Sequence, residues 1–292
     1  MPPEKPTPAP VDVLSLLSLS CLTALSFSIF IIAALPILFL QSRLPDPIPK
    51  AVALAGAILA VVGLSAPVPW IAGVFTLAIV LADTLHRRGR VFPALFASVA
   101  AALAVILAFF FLSAQQQGVQ PAAYWNGLVD GWMAQARMVL EGGMATDWTA
   151  VDSLLRHQGP FLLVAGLILS AWVSLGAAAH WGWAPGPKPL NAKALRKQAR
   201  LPQAVYVAVT LGWAASMALP AAPWGVGVGR ILATLLFLQG CVCLSLILNR
   251  LGTSFVARTL IYSLGVVLGF YALLALGVVS PLYFRVEEKK KK

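Results

Sequence analysis

The residue types that move protons, hold metals or attack as nucleophiles are few in this sequence, and their spacing matches no catalytic constellation. His86, His157 and His180 stand far apart, and Cys21, Cys241 and Cys243 all lie inside apolar runs. Cys241 and Cys243 are two positions apart, so on a helix they point to different faces. Neither a disulfide framework nor a metal site follows from that pattern. There is no His-Glu-x-x-His, no phosphate-binding Gly-x-x-x-x-Gly-Lys loop and no Gly-x-Ser-x-Gly elbow. Gly225, Gly227 and Gly229 alternate, but no strand precedes them to build a dinucleotide loop. The expectation is a protein that is not an enzyme, with no catalytic residues, no metal and no cofactor.

What remains is polar recognition among apolar helices. An ionisable group at the centre of a bilayer costs about 2.5–3.5 kcal/mol on insertion scales, so each one within an apolar run needs a reason. Asp83 stands four residues before Arg87, a spacing that predicts a local ion pair. Arg258 lies about one turn inside its run and can reach the interface along its own stem. Gln239 sits in the middle of an apolar run, between Leu238 and Gly240. A buried amide there can bind a ligand or the backbone of a neighbouring helix, and Gln239 is the candidate ligand-binding residue. Ser20, Ala24 and Ser28 recur every four residues, and Gly265 and Gly269 form a Gly-x-x-x-Gly. Small residues at this spacing let helices approach closely, either within the chain or at a partner-docking surface.

These residues are carried by a strongly apolar chain. Of its 292 residues 60% are hydrophobic and 11% charged, against about 25% charged in soluble domains. The prediction is an all-α, polytopic transmembrane helix bundle of about eight spans, at about 20 apolar residues each. Residues 1–12 form a polar, Pro-rich N-terminal segment, and the first apolar run is too long for a signal peptide. Residues 13–114 hold the first four spans, 13–40 with a bend at Pro36, 51–66, 68–85 and 91–114. Residues 160–284 hold the last four, 160–181, 202–219, 230–248 and 255–284, with a breaker-rich turn from Pro220 to Gly229. Residues 285–292 are a basic tail. Between spans four and five, residues 115–159 form an extramembrane segment. In it Trp125, Leu128, Val129, Trp132, Ala136 and Val139 recur at helical spacing, which predicts an amphipathic helix on the membrane surface.

The 21 Lys and Arg against 10 Asp and Glu give a net charge of +11. No aromatic-interleaved basic surface accompanies this charge, so nucleic acid is not the expected partner. Lipid is: Lys193, Arg196, Lys197 and Arg200, with Trp125 and Trp132, are the candidate headgroup contacts. The positive-inside rule puts the basic 185–200 loop on the cytoplasmic side. Three apparent crossings then place the tail outside, against the same rule, unless a segment after Pro202 is re-entrant or the last run holds a bend.

The C-terminal third resembles the YybS-like family of bacterial membrane proteins. The resemblance rests on Leu235-Leu236-Phe237-Leu238-Gln239-Gly240, on the turn Asn249-Arg250-Leu251-Gly252, and on Leu276-Gly277-Val278-Val279 followed by Phe284-Arg285. Leu35-Pro36-Ile37 and the order of segments extend it over nearly the whole chain. The family usually has an Asp where Ser280 stands. The resemblance implies a fold similar to the substrate-binding subunits of energy-coupling-factor transporters. It therefore implies a multi-pass protein of the bacterial inner (cytoplasmic) membrane that binds a small molecule and needs a partner. The alternative is a structural or assembly protein that holds other membrane proteins together.

Overall fold

The computed structural model describes residues 18, 20–25, 32–44, 46–63, 67–140, 147–185, 194–195, 198, 200–218, 223–254, 257, 260–261 and 269–289. Among the described residues all regular structure is helical, as a chain in hydrocarbon requires when every backbone polar group must be satisfied within its own segment. The helices are α1 (Leu35–Arg43), α2 (Ile48–Gly63), α3 (Val68–Arg88), α4 (Val91–Gln116), α5 (Pro121–Leu140), α6 (Trp148–His180), α7 (Gln203–Ala218), α8 (Pro223–Arg250) and α9 (Phe270–Lys289). Of these, α3, α4, α6 and Gly225–Arg250 of α8 are long and apolar enough to cross a bilayer. Ile48–Gly63, Gln203–Ala218 and Phe270–Pro281 are apolar but shorter. Sixteen residues, the length of α2 and α7, make about 24 Å of helix, against about 30 Å of hydrocarbon. Four helices, rather than eight, thus reach spanning length among the described residues.

Several expected boundaries move. The run 13–40 is not one helix, because a turn at residues 32–34 precedes α1, and Pro36 sits at the start of α1, where its missing N–H costs nothing. Pro160 does not begin a span but lies inside the 33-residue α6. That helix starts at Asp147, whose Oδ1 accepts the N–H groups of Thr149 and Ala150 at 3.1 Å, an N-cap. The glycines from Gly225 to Gly229 are helical, not a turn. Gly227 and Gly229 are buried where a Cβ would lie 2.2 Å from the Phe161 ring and 2.3 Å from Ser216 Oγ, so they serve close packing.

The chain divides into two compact units, Met1–Phe109 with Ser170–Leu195, and Phe110–Leu169 with Arg196–Lys292. In the first, α3 buries Ile71, Val74, Ala78, Leu81 and Leu85, a stripe at helical spacing. It packs against α1 and α2. Ser20 and Ala24 are buried here, and between them Thr23 meets Gly56 of α2, where a Cβ would lie 2.8 Å from the Thr23 side chain. The face expected to dock a partner is therefore occupied within the chain at these two residues; Ser28 lies outside the described residues. Asp83 pairs with Arg87 at 3.0 Å as the spacing predicts, and Lys50 bridges Asp83 at 3.8 Å and Asp46 at 3.2 Å. Burial acts to raise the Asp46 carboxyl, but hydrogen bonds from Lys50 and Gln41 outweigh it and hold the pKa below the ordinary carboxylate range.

In the second unit α8 packs against α7 and α9. Phe237 stacks on Phe270 with ring centroids 5.1 Å apart, Gly240 meets Gly277, and the Arg250 guanidinium lies 5.3 Å from the Tyr283 ring centre. These pairings advance together along both chains, so α8 and α9 run parallel. The pairings of α7 run the other way, Gly212 against Leu232 and Ser216 against Gly229, so α7 is antiparallel to α8. The expected single span 255–284 is broken at Gly269, which is not helical; its carbonyl accepts the Leu273 N–H at 2.9 Å and starts α9. Arg250 and Tyr283 consequently stand at one end of the unit, where the sequence had put a crossing between them.

Gly240 and Gly277 fix this arrangement. A Cβ on Gly240 would lie 1.8 Å from the Leu273 carbonyl oxygen, and one on Gly277 would lie 1.9 Å from that of Leu236. Backbone meets backbone, and neither helix can yield without parting from the other. Gly240→Ala or Gly277→Ala should each lower the thermal unfolding midpoint in detergent by several degrees. Gly63→Ala, which has open space around it, should leave the midpoint unchanged. In the first unit, the stability that the Asp46 clamp contributes is complete above the ordinary carboxylate pKa and is lost as pH falls through the lowered native value. Lys50→Met should move the Asp46 titration, followed by carbon-13 NMR, upward.

Candidate functional site

Gln239 is carried to its position by the α8 packing. It is 3% exposed, and its Oε1 accepts the backbone N–H of Leu201 at 3.2 Å. Only the oxygen of the amide can accept that bond, so the NH2 group is turned to the remaining space. That space is a cleft of about 180 Å³ between the start of α7, the middle of α8 and the second half of α9, lined by Arg200, Leu201, Gln203, Tyr206, Gln239, Pro281 and Phe284. The structural and the ligand readings of Gln239 thus both have a basis: its oxygen holds a backbone, and the residue lines a cleft.

Three neighbours shape the cleft. Tyr206, one turn into α7, donates its hydroxyl to the Val278 carbonyl of α9. The guanidinium of Arg200 lies over the Phe284 ring at 4.3 Å from its centre, a cation–π contact that fixes the charge against an apolar wall. Ser280 is fully buried and donates to the Gly277 carbonyl at 2.8 Å. That carbonyl needs a donor because Pro281, four residues on, has no N–H to give it. Tyr206 and Gln203 were not singled out in the sequence. The available signal was the helix start after Pro202, which places Gln203 in the first turn and Tyr206 one turn further, on the side of α8.

The other candidates fall elsewhere. Arg200, expected at the lipid headgroups, lines the cleft; Lys193, Arg196 and Lys197 lie outside the described residues. Helix α5 forms where the periodicity predicts, with Val129 and Met133 buried. Trp125 does not face outward: a Cβ on Gly159 of α6 would lie 2.3 Å from its ring, and its Nε1 donates to the Leu155 carbonyl at 3.3 Å. Arg156 joins the same contact by pairing with Asp130 of α5 and with Asp152. Trp132 is 41% exposed. Gly269 is half-buried at the break before α9, and Gly265 lies outside the described residues. Among the described residues no group of His, Cys, Asp and Glu could hold a metal ion.

The profile of a family described as "Predicted membrane protein (DUF2232)" matches residues 12–279. The chain belongs to that family and is membrane-embedded. No curated protein and no solved structure matches it.

The two stretches that carried the resemblance, around Gln239-Gly240 and around Gly277-Val278, are those that meet in space at this cleft. Ser280 closes the junction. An ionised aspartate at that position could not donate to the Gly277 carbonyl, so the serine here has a structural task. Ser280→Ala should destabilise the protein by about 1 kcal/mol, the usual net scale of one intramolecular hydrogen bond. Ser280→Asp should cost more, as read by thermal unfolding in detergent at neutral pH.

Proposed function

We propose that this DUF2232 protein is a non-enzymatic, multi-pass protein of the bacterial inner membrane that holds a small molecule in the Gln239 cleft and acts with a membrane partner, as a transporter's substrate-binding subunit does. The observation that carries this reading is a buried amide whose nitrogen has no protein partner among the described residues, lining a cleft in an otherwise apolar bundle. The absence of a catalytic constellation in the sequence agrees with binding rather than turnover. Helix α5, with Trp132 outward, lies along the headgroup layer in this reading.

Orientation follows from charge. Arg200 contacts Phe284, and Arg250 contacts Tyr283 of the parallel α9, so Arg200 and the C-terminal ends of α8 and α9 lie at one end of the unit. In this reading that end is cytoplasmic, because the positive-inside rule favours basic segments there.

Native mass spectrometry of the full chain purified gently from its host tests the function. The expected result is a small-molecule adduct reduced in Gln239→Leu, together with a nucleotide-hydrolysing partner. A stable complex with neither would support the assembly-protein alternative and overturn this one. Orientation is tested by replacing the native cysteines with alanine and labelling Gln198→Cys and Lys289→Cys from intact cells. Both should resist an impermeant reagent; labelling of either would overturn the assignment.

A further inference from the structure

We infer that the first unit holds an anionic phospholipid where α1 and α6 end, with its phosphate on Arg43 and its glycerol region against Trp181. This is independent of the Gln239 cleft. The site is built by the way α6 stops. The Trp181 N–H returns to the Ala177 carbonyl at 3.1 Å and the Trp183 N–H to that of Ala178 at 2.7 Å. Between them Gly182 has a φ of 71°, the left-handed position that glycine fills in a Schellman stop. The two tryptophans flanking it have ring centroids 4.8 Å apart. The Trp183 ring meets Phe39 of α1 edge-on, also at 4.8 Å. One turn further along α1, the Arg43 guanidinium lies 6.0 Å from the Phe39 ring centre, within reach of a cation–π contact. Three rings thus form a row that ends in a cation. Trp181 is 54% exposed, and Arg43 is exposed as well.

Helix length sets the depth of this row. The 21 residues of α3 make about 31 Å at 1.5 Å per residue, which matches about 30 Å of hydrocarbon. Its last turn, His86 to Arg88, therefore stands at headgroup level. Lys50 ties Asp83, near that end, to Asp46, three residues past Arg43, so Arg43 stands at the same level. A tryptophan there keeps its ring in the apolar boundary and its N–H toward the polar one. The chemical group that an exposed guanidinium meets at this depth is lipid phosphate, whose geometry it matches. Arg87, Arg88 and Arg90 are exposed at the same end. The positive-inside rule puts such an end on the cytoplasmic side, the surface that anionic lipids make negative.

Full-length protein in neutral detergent is titrated with phosphatidylglycerol, and separately with phosphatidylcholine, and the bound lipids are counted by native mass spectrometry. The parent should retain phosphatidylglycerol in preference. Arg43→Gln should cut that preference at least about tenfold, the scale of a lost charge-assisted hydrogen bond. Arg43→Lys should keep most of it, which separates loss of charge from misfolding. Trp181→Ala should weaken retention of both lipids, and Trp181→Phe should do so less. Arg90→Gln, which removes another exposed charge of the same end, should cost about fivefold at most, the effect of one basic residue near an anionic surface. Equal losses in Arg43→Gln and Arg90→Gln would mean diffuse attraction without a site and overturn the inference. Equal retention of the two lipids by the parent overturns it too. So does a protein that co-purifies with the parent and is released by Trp181→Ala while lipid retention stays unchanged, since the face then belongs to that protein.

Discussion

The backbone contact between α8 and α9 at Gly240 and Gly277 is the constraint on which the second unit depends. A missing Cβ on each side lets a carbonyl of one helix lie against the Cα of the other. Water-driven burial does not hold helices together in lipid, because lipid tails are as apolar as leucine. Close packing has to supply the attraction, and it acts over short distances. Once α8 and α9 are parallel and this close, Tyr206 of α7 can reach the Val278 carbonyl, and Gln239 lies where the chain entering α7 passes. The cleft is what these three contacts leave between them.

Two buried polar groups of the second unit each answer a backbone group that the helices leave over. Gln239 takes the Leu201 N–H just before α7 begins. Ser280 gives a proton to the carbonyl that Pro281 strands. Trp125 of α5 donates to the Leu155 carbonyl of α6, a tie between two helices. An unpaired group in hydrocarbon costs several kcal/mol, so the proline within α9 has a compensating donor beside it. Against that background, an amide nitrogen with no protein partner among the described residues stands out as a place for something else.

Charged groups in both units are held by named neighbours. Near α1 to α3 the acidic and basic groups alternate, Asp46, Lys50, Asp83 and Arg87, and neutralise one another. In the second unit Arg156 pairs with Asp130 and Asp152, and Arg200 and Arg250 lie on aromatic rings.

The amino-acid sequence by itself determined that the chain is helical and membrane-embedded, since unbroken apolar runs admit no other backbone that satisfies itself. It also determined the pairing of Asp83 with Arg87 and the helix at α5, because both depend on neighbours three to seven residues away. Gln239 stood out as one amide in an apolar run, which is a local property too. Tertiary structure decided the rest. Whether Gly225 to Gly229 breaks a helix or packs one depends on whether Phe161 and Ser216 press against it. Whether Arg200 meets lipid or lines a cleft depends on Phe284, more than eighty positions away. The direction of α9 depends on a break at Gly269 that composition does not mark. Each of these outcomes is set by which surfaces come within van der Waals reach, and that distance is a property of the packed helices rather than of any segment alone.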